Sequence, residues 1–301
     1  MRAKKDLEIL ISPKYPRLIE RIKQLIEDSE RQFSQEREKE KEAVDSFLWE
    51  HTIHVASIAR KIALAEEMDA TDAVIAALFH DSGKFFKGHY HDKEVPEEES
   101  AAEIAQKLLA EEGMNPSKIE TITKAIKALY SETEPASKMT NALHDADFLA
   151  KFGYLGVANF FTKSALRGKT LYKALVSSLS KELTYAVALE MNMRTAAGKK
   201  MAEKKSAATL SFYHGLLEEL REGGIAFFQI KEEIFPCPDN PSKTFALLMA
   251  IPENCPECHN ELTMDFASKA KTKCEQLTAN INCVHCPNHY QVSFCLPEIT
   301  K

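Results

Sequence analysis

Few adjacent residues are as costly to bury together as His and Asp. The sequence places such a pair, His80-Asp81, at the end of the apolar run "AALFHDSGK". A charge taken out of water needs an opposite charge, hydrogen bonds or a metal ion. Candidates to supply this lie at a distance: His51 and His54 in "EHTIHVASIARKIA", Lys84 just past the pair, and Asp145 and Asp147 in "ALHDADFLAKFG". Two imidazoles and two carboxylates suit a divalent first-row metal ion such as Mn, Fe, Co or Zn. Four protein ligands leave positions on an octahedral ion for water and a phosphate oxygen. Such an ion lowers the pKa of bound water and neutralises charge on a phosphoryl group. A second set comprises "NCPECHN" and "NCVHCPN", in which Cys255, Cys258, Cys283 and Cys286 form two C-x-x-C turns. Two such turns complete a closed, tetrahedral, structural zinc site with no position open for catalysis.

The first set needs helices to position it. His51 lines up with Val55, Ile58 and Ile62 on one helical face, so it continues a core-facing stripe. His54 falls near the edge of that stripe. Asp69-Ala70-Thr71-Asp72 supplies capping residues before "AVIAALFHD", which is apolar all round and therefore a buried helix. From Pro16 to Met68 the periodicity is helical, with no internal Gly or Pro. Further helices are predicted in "SAAEIAQKLLAEEG", closed by Gly113, in "NPSKIETITKAIKALYSE", opened by Asn115-Pro116, and in "ASKMTNALHDADFLAKFG", ended by Gly153. Two long helical stretches are expected around 154–190 and 192–222. The second set needs strands, and β-prone runs flank its turns: "FALLMAI", "ELTMDF", "TANINC" and "HYQVSF". A domain boundary is expected between about 224 and 240.

Bulk properties narrow the function classes. The chain has 301 residues, 44% hydrophobic and 28% charged, as in ordinary globular proteins. A formal charge of −6 gives no global basic field for nucleic acid. No apolar run approaches the roughly 20 residues that span a bilayer. The start, "MRAKKDLEILISPKYP", does not read as a signal peptide. All seven cysteines lie in the last quarter of the chain, a distribution that suits metal binding better than a disulfide framework. A cytoplasmic location is the resulting expectation. Cys237, Cys274 and Cys295 lack a paired partner and are expected as small buried hydrophobes. His259, His285 and His289 lie near the knuckles, where any of them could replace a thiolate. The lysines of "SKAKTK", with Phe266 and Tyr290 nearby, offer a slim footprint for nucleic acid.

The order His, His-Asp, Asp resembles the HD-domain superfamily of metal-dependent phosphohydrolases. The matching pieces are "EHTIHVASIARKIA", "AALFHDSGK" and "DADFLAKFGYLGVANFF". The implied fold class is mainly α: an HD-type helical bundle over 45–225, a helical extension over 1–44, and a small β zinc ribbon over 236–301. Carried over by position, the family's metal ligands fall on His51, His80, Asp81 and Asp147. Asp145 rivals Asp147, whose place before Phe148-Leu149 fits the family pattern, while helical spacing alone cannot separate the two acids. Many binuclear members have two further His residues, at positions that fall near Glu97 and Tyr130 here. Their absence implies one catalytic ion (Mn, Co, Fe, Mg or Zn), and His89 and His91 are expected in a solvated loop. The resemblance implies a nucleotidase-like or nucleotide-pyrophosphohydrolase-like enzyme acting on a small phosphorylated substrate, with a nucleotide the expected kind. Asp81 would hold the ion and orient or deprotonate the water, Lys84 would contact phosphate, and His54 would donate a hydrogen bond. The competing reading keeps the HD core as a scaffold and gives the ribbon a nucleic-acid or protein partner, a second copy of the chain included.

Overall fold

The computed structural model describes residues 2–37, 47–85, 96–131, 136–237, 240–255, 258, 260–266, 276–287 and 289–295. Among these, helices occupy the chain up to Glu222 and strands follow from Phe228. Two compact units are present, one formed by residues 1–150 with 193–200, the other by 151–192 with 201–301. They do not follow the change from helix to strand.

The first unit holds α1 (Arg2–Ile11), α2 (Leu18–Arg37), α3 (Phe47–Ala65), α4 (Ala70–Phe79), α5 (Glu97–Glu111), α6 (Pro116–Lys127) and α7 (Lys138–Ala150). The short apolar piece before Pro13 is helical too, in keeping with a chain that reads as almost wholly helical up to about Gly224. α4 is buried along nearly its whole length, and α3 packs against both α4 and α7. Asp69 caps α4 by accepting from the N–H groups of Thr71 and Asp72, at 2.9 and 3.2 Å. A cap of this kind stabilises by about 1 kcal/mol. Asn115 does the same for α6 through Ser117 N–H, with Pro116 in the first turn. Lys118 Nζ reaches from α6 to Asp72 and Asp69 at the start of α4, at 2.8–2.9 Å.

The second unit holds α8 (Gly153–Leu166), α9 (Leu171–Val187), a 3₁₀ turn at Glu190–Asn192 and most of α10 (Ala196–Glu222). The expected stretch around 154–190 is thus two helices. Gly168 takes a positive φ of 74° between them, and Thr170 caps α9 through Lys173 N–H. β1 (Phe228–Cys237) and β2 (Asn240–Pro252) form an antiparallel pair, Phe228 opposite Pro252. β3 (Leu262–Phe266), β4 (Gln276–Cys283) and β5 (His289–Cys295) form an antiparallel sheet in the order β3-β4-β5. The four runs read as β-prone are β2 to β5, and β1 is an addition to them. One apolar core joins helices and strands: Val157, Leu175, Leu179, Leu183, Tyr213 and Leu220 pack with Phe228, Met249 and Ile281. Hydroxyls of α9 accept from β2, Ser180 from Ala250 N–H at 2.8 Å and Thr184 from Leu248 N–H at 3.0 Å.

Candidate functional site

The apolar stripe of α3 does what its spacing requires. Val55, Ile58 and Ile62 are buried, and His51 on the same face points into the first unit. α4 runs out at Phe79, where His80 takes up the C-cap position with its side chain buried. Gly83 then lets the turn pass close to α5. A Cβ there would lie 2.3 Å from Glu97 O and 2.7 Å from Ala101 N, both backbone atoms that cannot swing aside. α7 brings Asp147 to the same place.

These elements converge on a small polar cluster. His51 Nε2 lies 3.2 Å from Asp147 Oδ1 and 3.7 Å from Asp81 Oδ2. His80 Nε2 lies 3.6 Å from Asp81 Oδ2 and 3.8 Å from Asp147 Oδ1. Lys84 Nζ pairs with Asp81 Oδ2 at 3.0 Å. Ligand atoms of His51, His80 and Asp81 fit within 4.8 Å of one another, a grouping that can hold a metal ion.

The His80 tautomer follows from its neighbours. Nδ1 lies 2.7 Å from Ala77 O, a carbonyl that only accepts, so Nδ1 carries the proton. In the neutral ring Nε2 is then a bare lone pair, buried, without a hydrogen-bond partner, and facing two carboxylate oxygens. An imidazole nitrogen and two carboxylate oxygens are thus gathered with no hydrogen bond joining that nitrogen to either oxygen. The donor set therefore fits a divalent ion in chemistry as well as in spacing.

Electrostatics sets the protonation states. Burial lowers the His51 pKa and outweighs the opposing pull of Asp147, which keeps the ring neutral and able to ligate. Burial would raise Asp81, but the Lys84 ammonium, joined by His80 and His51 when their rings are protonated, holds it well below the usual carboxylate range. Burial would lower Lys84, but Asp81, Glu97 and Asp147 keep its ammonium charged. Tyr130, just beyond α6, hydrogen-bonds through its hydroxyl to Asp147 Oδ2. Burial and the Asp147 charge raise its pKa well above the ordinary value.

The two acids of "DAD" go to different places. Asp147 lies with the imidazoles. Asp145, fully buried, accepts from Arg194 N–H at 2.9 Å, Thr195 N–H at 2.8 Å and Thr195 Oγ1 at 2.7 Å, and from His144 Nδ1 at 3.0 Å. It thereby holds the start of α10. Gly198 permits this, since a Cβ there would meet Asp145 Oδ2 at 2.3 Å. His54 is half-buried on α3 and lies outside the grouping of ligand atoms. His89 and His91 lie outside the described residues. Sequence reasoning missed Tyr130 and Glu97 as contributors. Each stands near a position where binuclear relatives have a His, and their partners are remote in sequence.

In the second unit the four knuckle cysteines come together. Cys255 Sγ lies 3.5 Å from Cys286 Sγ, and Cys258 Sγ lies 3.3 and 3.6 Å from Cys283 and Cys286. These separations are far beyond a disulfide bond. They approach the roughly 3.8 Å edge of a tetrahedron with Zn–S bonds of about 2.3 Å. Backbone and side-chain hydrogen bonds involving Asn260 lower the Cys258 pKa, which favours thiolate. His285 is exposed, and its N–H donates to Cys283 Sγ. Cys274 and His259 lie outside the described residues, as do the side chains of Cys237, Cys295, His289, Phe266 and Tyr290 and the lysine run 268–273. Among the described residues no helix is long and apolar enough to cross a membrane.

Residues 48–151 match the HD domain family. That segment is therefore an HD domain, and the chain also carries a four-cysteine cluster near its C-terminus. Among solved structures, it is similar to Bacillus subtilis YpgQ in complex with ADP, at 19% identity and a TM-score of 0.50, over 68% of this chain and 96% of that one. It is also similar to a predicted HD superfamily hydrolase from an uncultured Thermotogales bacterium, at 25% identity and a TM-score of 0.45, over 66% of this chain and 91% of that one. A third similar structure is an HD-superfamily hydrolase from Bacillus thuringiensis, at 18% identity and a TM-score of 0.47, over 67% and 96%. The likeness to YpgQ is one of fold. No curated protein matches the chain.

Proposed function

We propose that the protein is a metal-dependent phosphohydrolase with one catalytic divalent ion held by His51, His80, Asp81 and Asp147. The observation that carries this reading is the bare Nε2 of His80, buried and aimed at two carboxylate oxygens. A divalent ion supplies two things there when bound: an acidified water and positive charge for a phosphoryl oxygen. The chain's own residues do the rest. Ala77 O fixes the His80 tautomer. Lys84 holds Asp81 ionised, so Asp81 serves as ligand and water-orienting group, and its depressed pKa makes it a weak proton acceptor. The Lys84 ammonium stands at the rim of the same cluster, where it can also meet a substrate phosphate. His54 is held in reserve as a donor toward substrate oxygen.

The proposed substrate class is a small phosphate ester, a nucleotide by preference, with a nucleotidase-like reaction. Support comes from the oxygen-rich donor set, the fixed ammonium beside it, and the fold shared with a protein that binds ADP. The same proposal places one structural zinc ion at Cys255, Cys258, Cys283 and Cys286 and a cytoplasmic site of action. The test is elemental analysis of untagged wild type and Asp81→Ala, with phosphate release from a nucleotide panel under added Mn²⁺, Co²⁺ and Mg²⁺. The expected result is one zinc in both proteins, with a second ion and turnover in wild type alone. Zinc in both and turnover in neither overturns the enzyme and returns the HD core to a scaffold.

A further inference from the structure

We propose that Tyr130 is a positioning residue for the candidate metal centre, its hydroxyl engaging Asp147 Oδ2 so that Asp147 meets the ion through Oδ1 alone. The proposal rests on the reading of His51, His80, Asp81 and Asp147 as ligands. The two oxygens of Asp147 face different partners. Oδ1 is turned to His51 Nε2 at 3.2 Å and His80 Nε2 at 3.8 Å. Oδ2 takes the Tyr130 O–H. A carboxylate can bind a divalent ion through one oxygen or two. A donor seated on the second oxygen favours the one-oxygen mode and leaves a coordination position to water or substrate.

Tyr130 is built for this duty and not left to chance. Ala128 and Leu129 before it are buried, which pins the chain at the edge of the cluster. Its ring packs edge-on against His144, with centroids 6.0 Å apart. His144 stacks on Phe148 at 5.9 Å and 12°, and Asp145 holds it through Nδ1 at 3.0 Å. The ring is thus supported from behind by side chains of α7, the helix that also presents Asp147. Tyr130 is 46% exposed although its hydroxyl reaches Asp147.

The experiment uses the full chain with its zinc in place and Mn²⁺ as probe, because a hard ion does not compete for thiolates. The Mn²⁺ Kd is read by the resonance of the free ion, and the number of bound waters by proton relaxivity. Tyr130→Phe keeps the ring and removes the hydroxyl. It is expected to weaken Mn²⁺ binding about tenfold, the lower end of what loss of an outer hydrogen-bond partner costs, and to lower relaxivity as Asp147 closes on the ion with both oxygens. Phe148→Leu disturbs the ring stack but keeps the hydroxyl, and its relaxivity should match wild type. Equal Kd and relaxivity in wild type and Tyr130→Phe overturn the positioning role alone. An equal effect of Phe148→Leu on both readouts overturns it in favour of packing. Failure of wild type to bind Mn²⁺ overturns the ligand reading itself.

Discussion

Asp145 and Asp147 lie two residues apart on one buried helix, yet their removal should have opposite consequences. Asp145→Ala takes the acceptor from two backbone N–H groups, one hydroxyl and one imidazole, all gathered where α10 begins. Hydrogen bonds to a charged acceptor contribute about 1.5–3 kcal/mol each, and losses within one network do not add fully. Allowing for water entering the space, the cost is about 4 kcal/mol. At about 2–4 °C per kcal/mol for a unit of this size, the melting temperature should fall by about 8–16 °C. Asp147→Ala breaks the Tyr130 hydrogen bond and the His51 Nε2 contact and relieves the crowding of carboxylates beside His80 Nε2, a net cost of about 1 kcal/mol. Without added divalent ion its melting temperature should stay within a few degrees of wild type, about 2–4 °C for that 1 kcal/mol. Mn²⁺ binding should disappear in Asp147→Ala and persist in Asp145→Ala below its melting point. Circular dichroism melts and Mn²⁺ titrations on both variants decide the matter. If Asp147→Ala melts as low as Asp145→Ala, or if Asp145→Ala alone loses the ion, the division of labour argued from their partners is wrong.

Three further outcomes follow from the same structure. Gly83→Ala should displace α5 from the turn after His80, with a loss of about 2–4 kcal/mol for an over-packed backbone contact. An unchanged denaturation midpoint would show that the approach is looser than 2.3 Å. With the proposed zinc ion at the cysteine cluster, its removal by a strong chelator should raise hydrogen exchange in α9 as well as in β3 to β5, because Leu179 and Leu183 share a core with Ile281. Exchange confined to the strands would contradict that shared core. Glu182 is raised to about 7 by burial, against the pull of Lys181, Lys151 and Lys163. A carboxyl raised above its unfolded value binds more protons when folded, so its share of stability falls as pH rises from about 4.5 to about 7. Glu182→Gln should therefore be near neutral at pH 4.5 and stabilise by up to about 3 kcal/mol at pH 8. A pH-independent difference in urea midpoint would refute the assignment.

Much of this was legible in the residues because it depends on near neighbours. The Asp69 cap needs only Thr71 and Asp72. The burial of α4 follows from its composition, and the inward turn of His51 from Val55, Ile58 and Ile62. The cysteine knuckles announce themselves because both thiolates of each pair lie in one turn. What stayed hidden depends on partners far along the chain. Period alone puts both Asp145 and Asp147 on a buried helix, and only Arg194 and Thr195 reveal what Asp145 holds. Tyr130 reads as a residue near the end of a helix, where binuclear relatives have a His, until α7 brings Asp147 to its hydroxyl. β1 does not stand out as a strand because "FQIKEEIFPC" mixes charge with apolar residues and, among the described residues, is paired along one edge, by β2. The break at Arg167–Thr170 was lost for a different reason: its single Gly is weaker punctuation than a Pro.

The core that joins α8, α9 and α10 to the strands has a consequence for how the chain is made. Synthesis delivers Val157, Leu175, Leu179, Leu183 and Tyr213 well before Phe228, Met249 and Ile281, the residues that cover them. For that interval the nascent helices present a bare apolar face, a natural resting place for a chaperone and a hazard of association with other unfinished chains. The face closes only when the last strands arrive, and those strands are pinned by the cysteine cluster at their base. If the cysteine cluster takes up the zinc ion proposed for it, metal supply to the growing chain decides how long the helices stay open, and a shortage is felt first as aggregation.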